Sequence, residues 1–279
     1  MGRHGFRLKD GMLNKLFTRK QYFENETSAL KKLSSHPFVT EMIESVSQET
    51  VSGKFYGIIK MKHITGCDLH SWHETYSEGS SIEFCRYVCK SILIAYDYAL
   101  KNSIYHRDIK LENVMIDGDG VVKLIDWELA SFKRYSRRRV GTVEFMSGEI
   151  HSDEHYSCEK SDVWSLAVTI FIIYFGTRPY TSVLPTFLDD QETPFYGEWL
   201  TMIYDKDWKA YWTKTRLKHN HMKMYDRYIT KFMERTLLKD PESRPSIEML
   251  MFDDLFLGPC MKRVEVVNLM RNIEHYSPL

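Results

Sequence analysis

The chain has 279 residues, 43% of them hydrophobic and 14% aromatic, which suits one large domain or two small lobes around a cleft. Lys plus Arg equals Asp plus Glu at 38 each, so the overall charge gives no reason to expect direct binding to nucleic acid or to a membrane surface. No run approaches the ~18 apolar residues of a membrane span, and Met1-Gly2-Arg3-His4-Gly5-Phe6 lacks a signal-peptide core and the Ser or Thr of a myristoylation signal at Phe6.

In chain order, Phe6-Arg7-Leu8, Lys9-Asp10-Gly11 and Met12 to Phe17 predict strand, tight turn, strand, because Asp-Gly supplies the positive φ angles of a two-residue hairpin. Glu24 to Leu33 predicts a helix with Ala29, Leu30 and Leu33 on one face, stopped at Ser35-His36-Pro37. Val39 to Val46 and Phe55 to Met61 predict strands. From about Asp68 the pattern turns helical. Ile82 to Lys101 predicts a long helix, Val121 to Ile125 a short strand, Asp162 to Phe175 a buried helix and Tyr228 to Leu238 a further helix ended by Lys239-Asp240-Pro241. Phe187 to Met222 has no clear period. The five cysteines, Cys67, Cys85, Cys89, Cys158 and Cys260, form no disulfide framework and read as reduced thiols of an intracellular protein. Cys85 and Cys89, four apart on a helix, read as core rather than as metal ligands.

The most informative run is His106-Arg107-Asp108-Ile109-Lys110-Leu111-Glu112-Asn113. It puts a base, a cation and a metal-binding amide on one short loop. A second acid, Asp126, follows the strand at Val121–Ile125. That layout suits moving a phosphoryl group from a nucleotide to a hydroxyl.

From about Lys15 to Arg244 the chain resembles the eukaryotic-type serine/threonine protein kinase family. The resemblance implies an α+β, bilobal fold: a small antiparallel-sheet lobe over residues 1–61, a hinge at 62–66 and a mainly helical lobe with a helical tail over 67–279. It implies ATP and Mg²⁺, with Mn²⁺ as the other candidate ion. By this resemblance Asp108 is the base, Lys110 neutralises charge on the transferring phosphate, and Asn113 and Asp126 hold the metal. Thr142 contacts Asp108 and Lys110. Lys15 clamps the phosphates and pairs with Glu26, with Lys9 as the alternative lysine at the turn. Met61 occupies the gatekeeper position, Lys62-His63-Ile64 offer backbone groups to adenine, and Asp68 meets the ribose. Asp162 holds the catalytic loop, and Glu149 pairs with Arg244. His106 reads as a packed structural residue.

Three departures stand out. The usual Asp-Phe-Gly is Asp126-Trp127-Glu128, which implies a stiffer loop. Ala-Pro-Glu is Ser147-Gly148-Glu149. Only Gly2-Arg3-His4-Gly5-Phe6 stands where a glycine-rich loop would cover the phosphates, so the lobe has lost a strand or begins further upstream, and nucleotide binding is expected to be weaker. Arg107 beside Asp108 implies control by the activation loop, where a phosphate on Ser131, Tyr135 or Ser136 would meet Lys133, Arg134 and Arg137 to Arg139; an acidic partner or a solvated loop are the other readings. Glu112 and the acidic group Asp189-Asp190-Glu192 suggest a basic protein substrate. The small size and degenerate small-lobe motifs resemble viral kinases, in particular the small kinase of baculoviruses, which is linked to a basic DNA-packaging protein. The alternative reading is a pseudokinase scaffold.

Overall fold

The computed structural model describes residues 5–76, 80–151, 154–179 and 227–274. Strands β1 (Gly5–Lys9) and β2 (Met12–Phe17) form an antiparallel hairpin in the expected register, Lys9 facing Met12. Asp10 and Gly11 both take left-handed backbone angles (φ 52° and 70°), as the twist of a two-residue hairpin requires. β3 (Met42–Glu49) and β4 (Phe55–Lys62) complete a sheet of order β1-β2-β4-β3. Along β2 the alternation sends Lys15 and Phe17 inward and leaves Leu16 exposed.

Helix α1 (Lys20–Leu33) packs beneath this sheet and buries Ala29, Leu30 and Leu33. It starts four residues before the expected Glu24. Nothing local announces this start, since Arg19 at the cap makes no side-chain cap bond. Packing sets it instead: Phe23 lies 5.8 Å from Phe17 and 5.6 Å from Phe55. Gly57 admits that ring, because a Cβ there would come within 2.5 Å of Phe23. β3 likewise starts later than the expected Val39, which bridges in parallel to Leu124 of the other lobe.

The larger lobe begins with β5 (Gly66–Asp68), α2 (Leu69–Tyr76) and α3 (Ile82–Lys101). The Ser81 hydroxyl accepts a bond from the Phe84 N–H at 3.2 Å, a capping contact that fixes the start of α3 where the sequence predicts it. β6 (Val114–Asp117) and β7 (Val122–Leu124) join β5 in a small sheet of order β5-β6-β7. β8 (Tyr135–Ser136) pairs with β9 (Tyr156–Ser157). α4 (Cys158–Phe175) is buried on nearly every side, so its sequence carries no amphipathic stripe. It starts at Cys158 rather than Asp162 because Ser157 caps it. α5 (Arg227–Thr236), α6 (Ile247–Leu250), α7 (Asp254–Leu257) and α8 (Arg263–Glu274) follow. Val88, Ile92 and Tyr96 of α3 and Leu166 and Ile170 of α4 form the centre of the core, and Cys85 and Cys89 lie in it as free thiols. Among the described residues no helix is long and apolar enough to cross a membrane. Phe187 to Met222 and the acidic group at 189–192 lie outside the described residues.

Candidate active site

The loop between α3 and β6 is held from below by Asp162 of α4. Its Oδ2 accepts the His106 N–H and its Oδ1 the Arg107 N–H, both at 2.8 Å, and the Tyr96 hydroxyl donates to Oδ2 at 2.5 Å. Full burial pushes the Asp162 carboxyl up to about 7, against the pull of those three donors. The two main-chain bonds hold Arg107 at φ 64°, a left-handed angle that costs a non-glycine residue on the order of 1 kcal/mol or more. His106 is fully buried. Its Nδ1 accepts the Asp108 N–H at 3.2 Å, and its Nε2 lies 3.0 Å from the Ile125 carbonyl, so the ring is a neutral Nε2–H tautomer. Burial lowers its pKa further, against the pull of Asp108.

Asp108 is thereby aimed into the cleft between the lobes. Its Oδ1 accepts both the N–H (2.8 Å) and the hydroxyl (2.7 Å) of Thr142. Lys110 Nζ lies 3.1 Å from Oδ2 and donates to the Thr142 hydroxyl at 2.7 Å. Gly141 brings Thr142 this close, since at φ 123° a Cβ there would lie 2.8 Å from the Arg107 carbonyl. Asn113 Nδ2 donates to the Asp108 carbonyl (2.8 Å) and to its Oδ2 (3.2 Å). The amide nitrogen is thus committed, and the amide oxygen is left as the group that can meet a hard cation.

The Ile125 N–H donates to the Asn113 carbonyl at 2.9 Å, which sets Asp126 beside Asn113. Asp126 itself takes the left-handed angle (φ 64°), whereas Glu128, at the glycine position, does not. That is why a glutamate fits there. Trp127 is fully buried, its ring 4.5 Å from that of His106.

Across the cleft, Lys15 of β2 is 2% exposed, and its ammonium lies 2.6 Å from Glu26, 2.7 Å from Asp126 and 3.3 Å from Glu128. Burial alone would lower the Lys15 pKa, but the three carboxylates together hold it above the usual lysine value. Lys15 in turn depresses Asp126 against the upward push of burial. Glu26, Asp126 and Glu128 offer oxygens within 4.8 Å of one another, with the Lys15 ammonium as their counter-charge. The amide oxygen of Asn113 and the carboxylate of Asp126 are hard oxygen donors, the kind a divalent cation takes.

Met61 is buried at the end of β4, facing Leu13 and Met42. Lys62 still belongs to β4 and pairs with Met12. His63 and Ile64 lie between β4 and β5 and are half-buried, and their main-chain groups have no protein partner among the described residues. Asp68 caps α2: its two oxygens accept the N–H (2.9 Å) and the hydroxyl (2.8 Å) of Ser71. Arg107 donates to the Leu129 carbonyl (2.7 Å) and the Ser136 hydroxyl (3.2 Å). Arg244, 1% exposed, makes a two-pronged pair with Glu149 at 2.6 and 3.0 Å. The structure thus gathers Lys15, Glu26, Asp108, Lys110, Asn113, Asp126 and Thr142 around one cleft, with Asp68 at a helix cap. Nothing in the sequence signals that Glu128 reaches Lys15, or that Asn25 Nδ2 donates to the Glu128 carbonyl at 2.9 Å. The one available cue was Asn25 standing next to Glu26.

The Asp108 carboxylate with Lys110 and Thr142, the Lys15–Glu26 pair and the neighbouring Asn113 and Asp126, set between a small sheet lobe and a helical lobe, define a bilobal kinase fold. The chain belongs to the protein kinase domain family, which it matches over residues 11–256. It is 31% identical over 174 residues to CBL-interacting serine/threonine-protein kinase 9 of Arabidopsis thaliana, covering 60% of this chain and 37% of that protein. It is 29% identical over 175 residues to serine/threonine-protein kinase KSP1 of Saccharomyces cerevisiae, covering 56% and 17%. With CBL-interacting protein kinase 9 of Oryza sativa subsp. japonica it shares 25% identity over 242 residues, covering 85% and 47%. The matches span less than half the length of each of these relatives.

Proposed function

We propose that the chain is a serine/threonine protein kinase that transfers the γ-phosphoryl group of ATP to protein hydroxyls. The observation that carries this reading is the Asp108–Thr142–Lys110 cluster, with Asp108 accepting at 2.7–2.8 Å and Lys110 within 3.1 Å of it. In this reading Asp108 orients the attacking hydroxyl and takes its proton, and Lys110 offsets charge gathering on the transferred group. Thr142 holds both in register. Asn113 and Asp126 hold Mg²⁺, or Mn²⁺, which when bound neutralises charge on the phosphate oxygens. Lys15, fixed by Glu26, meets the nucleotide phosphates. The free main-chain groups of His63 and Ile64 with Lys62 receive adenine beneath Met61, and Asp68 reaches the ribose through lone pairs that Ser71 leaves unused. The lobes divide near 61 and 66.

The substrate we propose is a basic protein, because Glu112 is exposed two residues from Lys110. The resemblance to the small baculovirus kinases suggests a viral, intracellular setting and a DNA-packaging protein of protamine character. Asp108, Lys110, Asn113 and Asp126 all being present favours transfer over the alternative, a scaffold that binds without transferring. The test is labelled ATP with Mg²⁺ and a basic protein, wild type against Asp108→Asn. We expect the variant to lose on the order of 10²–10⁴-fold in rate; equal label in both would sink the proposal.

A further inference from the structure

Position 128 carries more than a glycine substitute. The Glu128 carboxylate lies 3.3 Å from Lys15 Nζ, and its carbonyl accepts the Asn25 side chain at 2.9 Å. The first contact reaches β2 and the second reaches α1, next to Glu26. On either side the segment is fastened to the lower lobe, through buried Trp127 against His106 and through the Leu129 carbonyl on Arg107. One residue therefore ties both ends of the Lys15–Glu26 pair to the metal-binding segment.

We propose that Glu128 and Asn25 are positioning residues that lock α1 and Lys15 into the phosphate-binding arrangement before nucleotide arrives. This rests on the kinase reading above. Glu128 forms a third charged contact to Lys15 at an ordinary backbone angle, while Asp126 takes the left-handed one. Asn25 is neutral and bonds a main-chain carbonyl, so its bond ties α1 without a charge. With the arrangement already formed, ATP spends none of its binding free energy in selecting it. When only a fraction of molecules holds a competent arrangement, apparent affinity falls by that fraction.

Two variants test this. Asn25→Ala cuts the tie to α1 without changing charge, and Glu128→Gln removes the charge while keeping shape and carbonyl. If either loosens the competent fraction to about one tenth, KM for ATP rises roughly tenfold while kcat at saturating ATP stays within about twofold. Hydrogen exchange gives a readout independent of turnover. In the wild type, α1 amides should be protected equally with and without a non-hydrolysable ATP analogue. In the variants, protection should appear only when the analogue is added. Simple electrostatics predicts the opposite sign, since removing the Glu128 charge beside the phosphates would lower KM. A lower KM in Glu128→Gln, an unchanged KM and exchange in Asn25→Ala, or nucleotide-dependent protection of wild-type α1 would each overturn the inference. Failure of the kinase reading shows separately, as no difference between wild type and Asp108→Asn with the exchange result intact.

Discussion

His106, which reads from the sequence as a packed structural residue, is fully buried in the fold. It sits two residues from Asp108, yet both ring nitrogens are committed to the main chain, Nδ1 accepting from Asp108 and Nε2 donating to Ile125. A proton on Nδ1 would face the Asp108 N–H and break that bond. Its pKa in the fold therefore lies below the ordinary 6.5, with burial the first cause. The sign follows from linkage: the unfolded chain takes up a proton near 6.5 that the folded chain refuses. His106 thus contributes stability that is present above 6.5 and is lost as the pH falls toward its folded value. Nitrogen-15 NMR should show His106 as the neutral Nε2–H tautomer at pH 6; a doubly protonated ring at that pH would contradict the hydrogen-bond assignment. That Asp108, Lys110 and Asn113 would lie together could be read from the sequence, because they stand at fixed short spacings on one loop. The contacts of Glu128 could not, because its partners Lys15 and Asn25 lie more than a hundred residues away.

Among the elements, α3 and the β1–β2 hairpin were legible throughout, whereas for α1 the buried face and the end were legible and the start was not. Ser81 and Asp10-Gly11 are local devices whose effect acts over three or four residues, so the sequence alone places the element. The Ser81 contact can be tested directly. Ser81→Ala should lower the stability of the fold by about 1 kcal/mol and Ser81→Asp should keep most of it, measured by urea unfolding; a loss equal in both would show that the cap contact is immaterial. α1 begins where Phe23 meets Phe17 and Phe55, which no local signal encodes. The segment from Leu129 to Gly141 belongs to the same class. Its course is fixed by the β8–β9 pairing, by Arg107 on Ser136 and by the Tyr156 hydroxyl donating to the Arg138 carbonyl at 2.6 Å.

For the whole molecule, the Glu149–Arg244 pair joins the one-turn helix at Gly148–His151 to the turn before α6. Removing the arginine leaves a carboxylate without its buried partner, at a cost of about 3–5 kcal/mol. Arg244→Ala should therefore unfold at markedly lower denaturant than wild type, and Arg244→Lys should recover only part of the loss, because a lysine cannot make the two-pronged contact. A midpoint for Arg244→Ala within experimental error of wild type would rule out that structural role. Asp162 does similar work: one buried carboxylate from α4 accepts two main-chain N–H groups and so shapes the loop between α3 and β6.

The amino-acid sequence by itself determined the side-chain chemistry of one short loop, Asp108, Lys110 and Asn113 with Asp126 after the next strand, together with the strand and helix starts that are set by caps and turns. Tertiary structure alone decided how that chemistry is held. Lys15 is buried among three carboxylates, Asp126 rather than residue 128 carries the left-handed angle, and Asn25 and Glu128 tie helix to loop. These features depend on groups distant in sequence that become neighbours only when the two lobes close on a shared core.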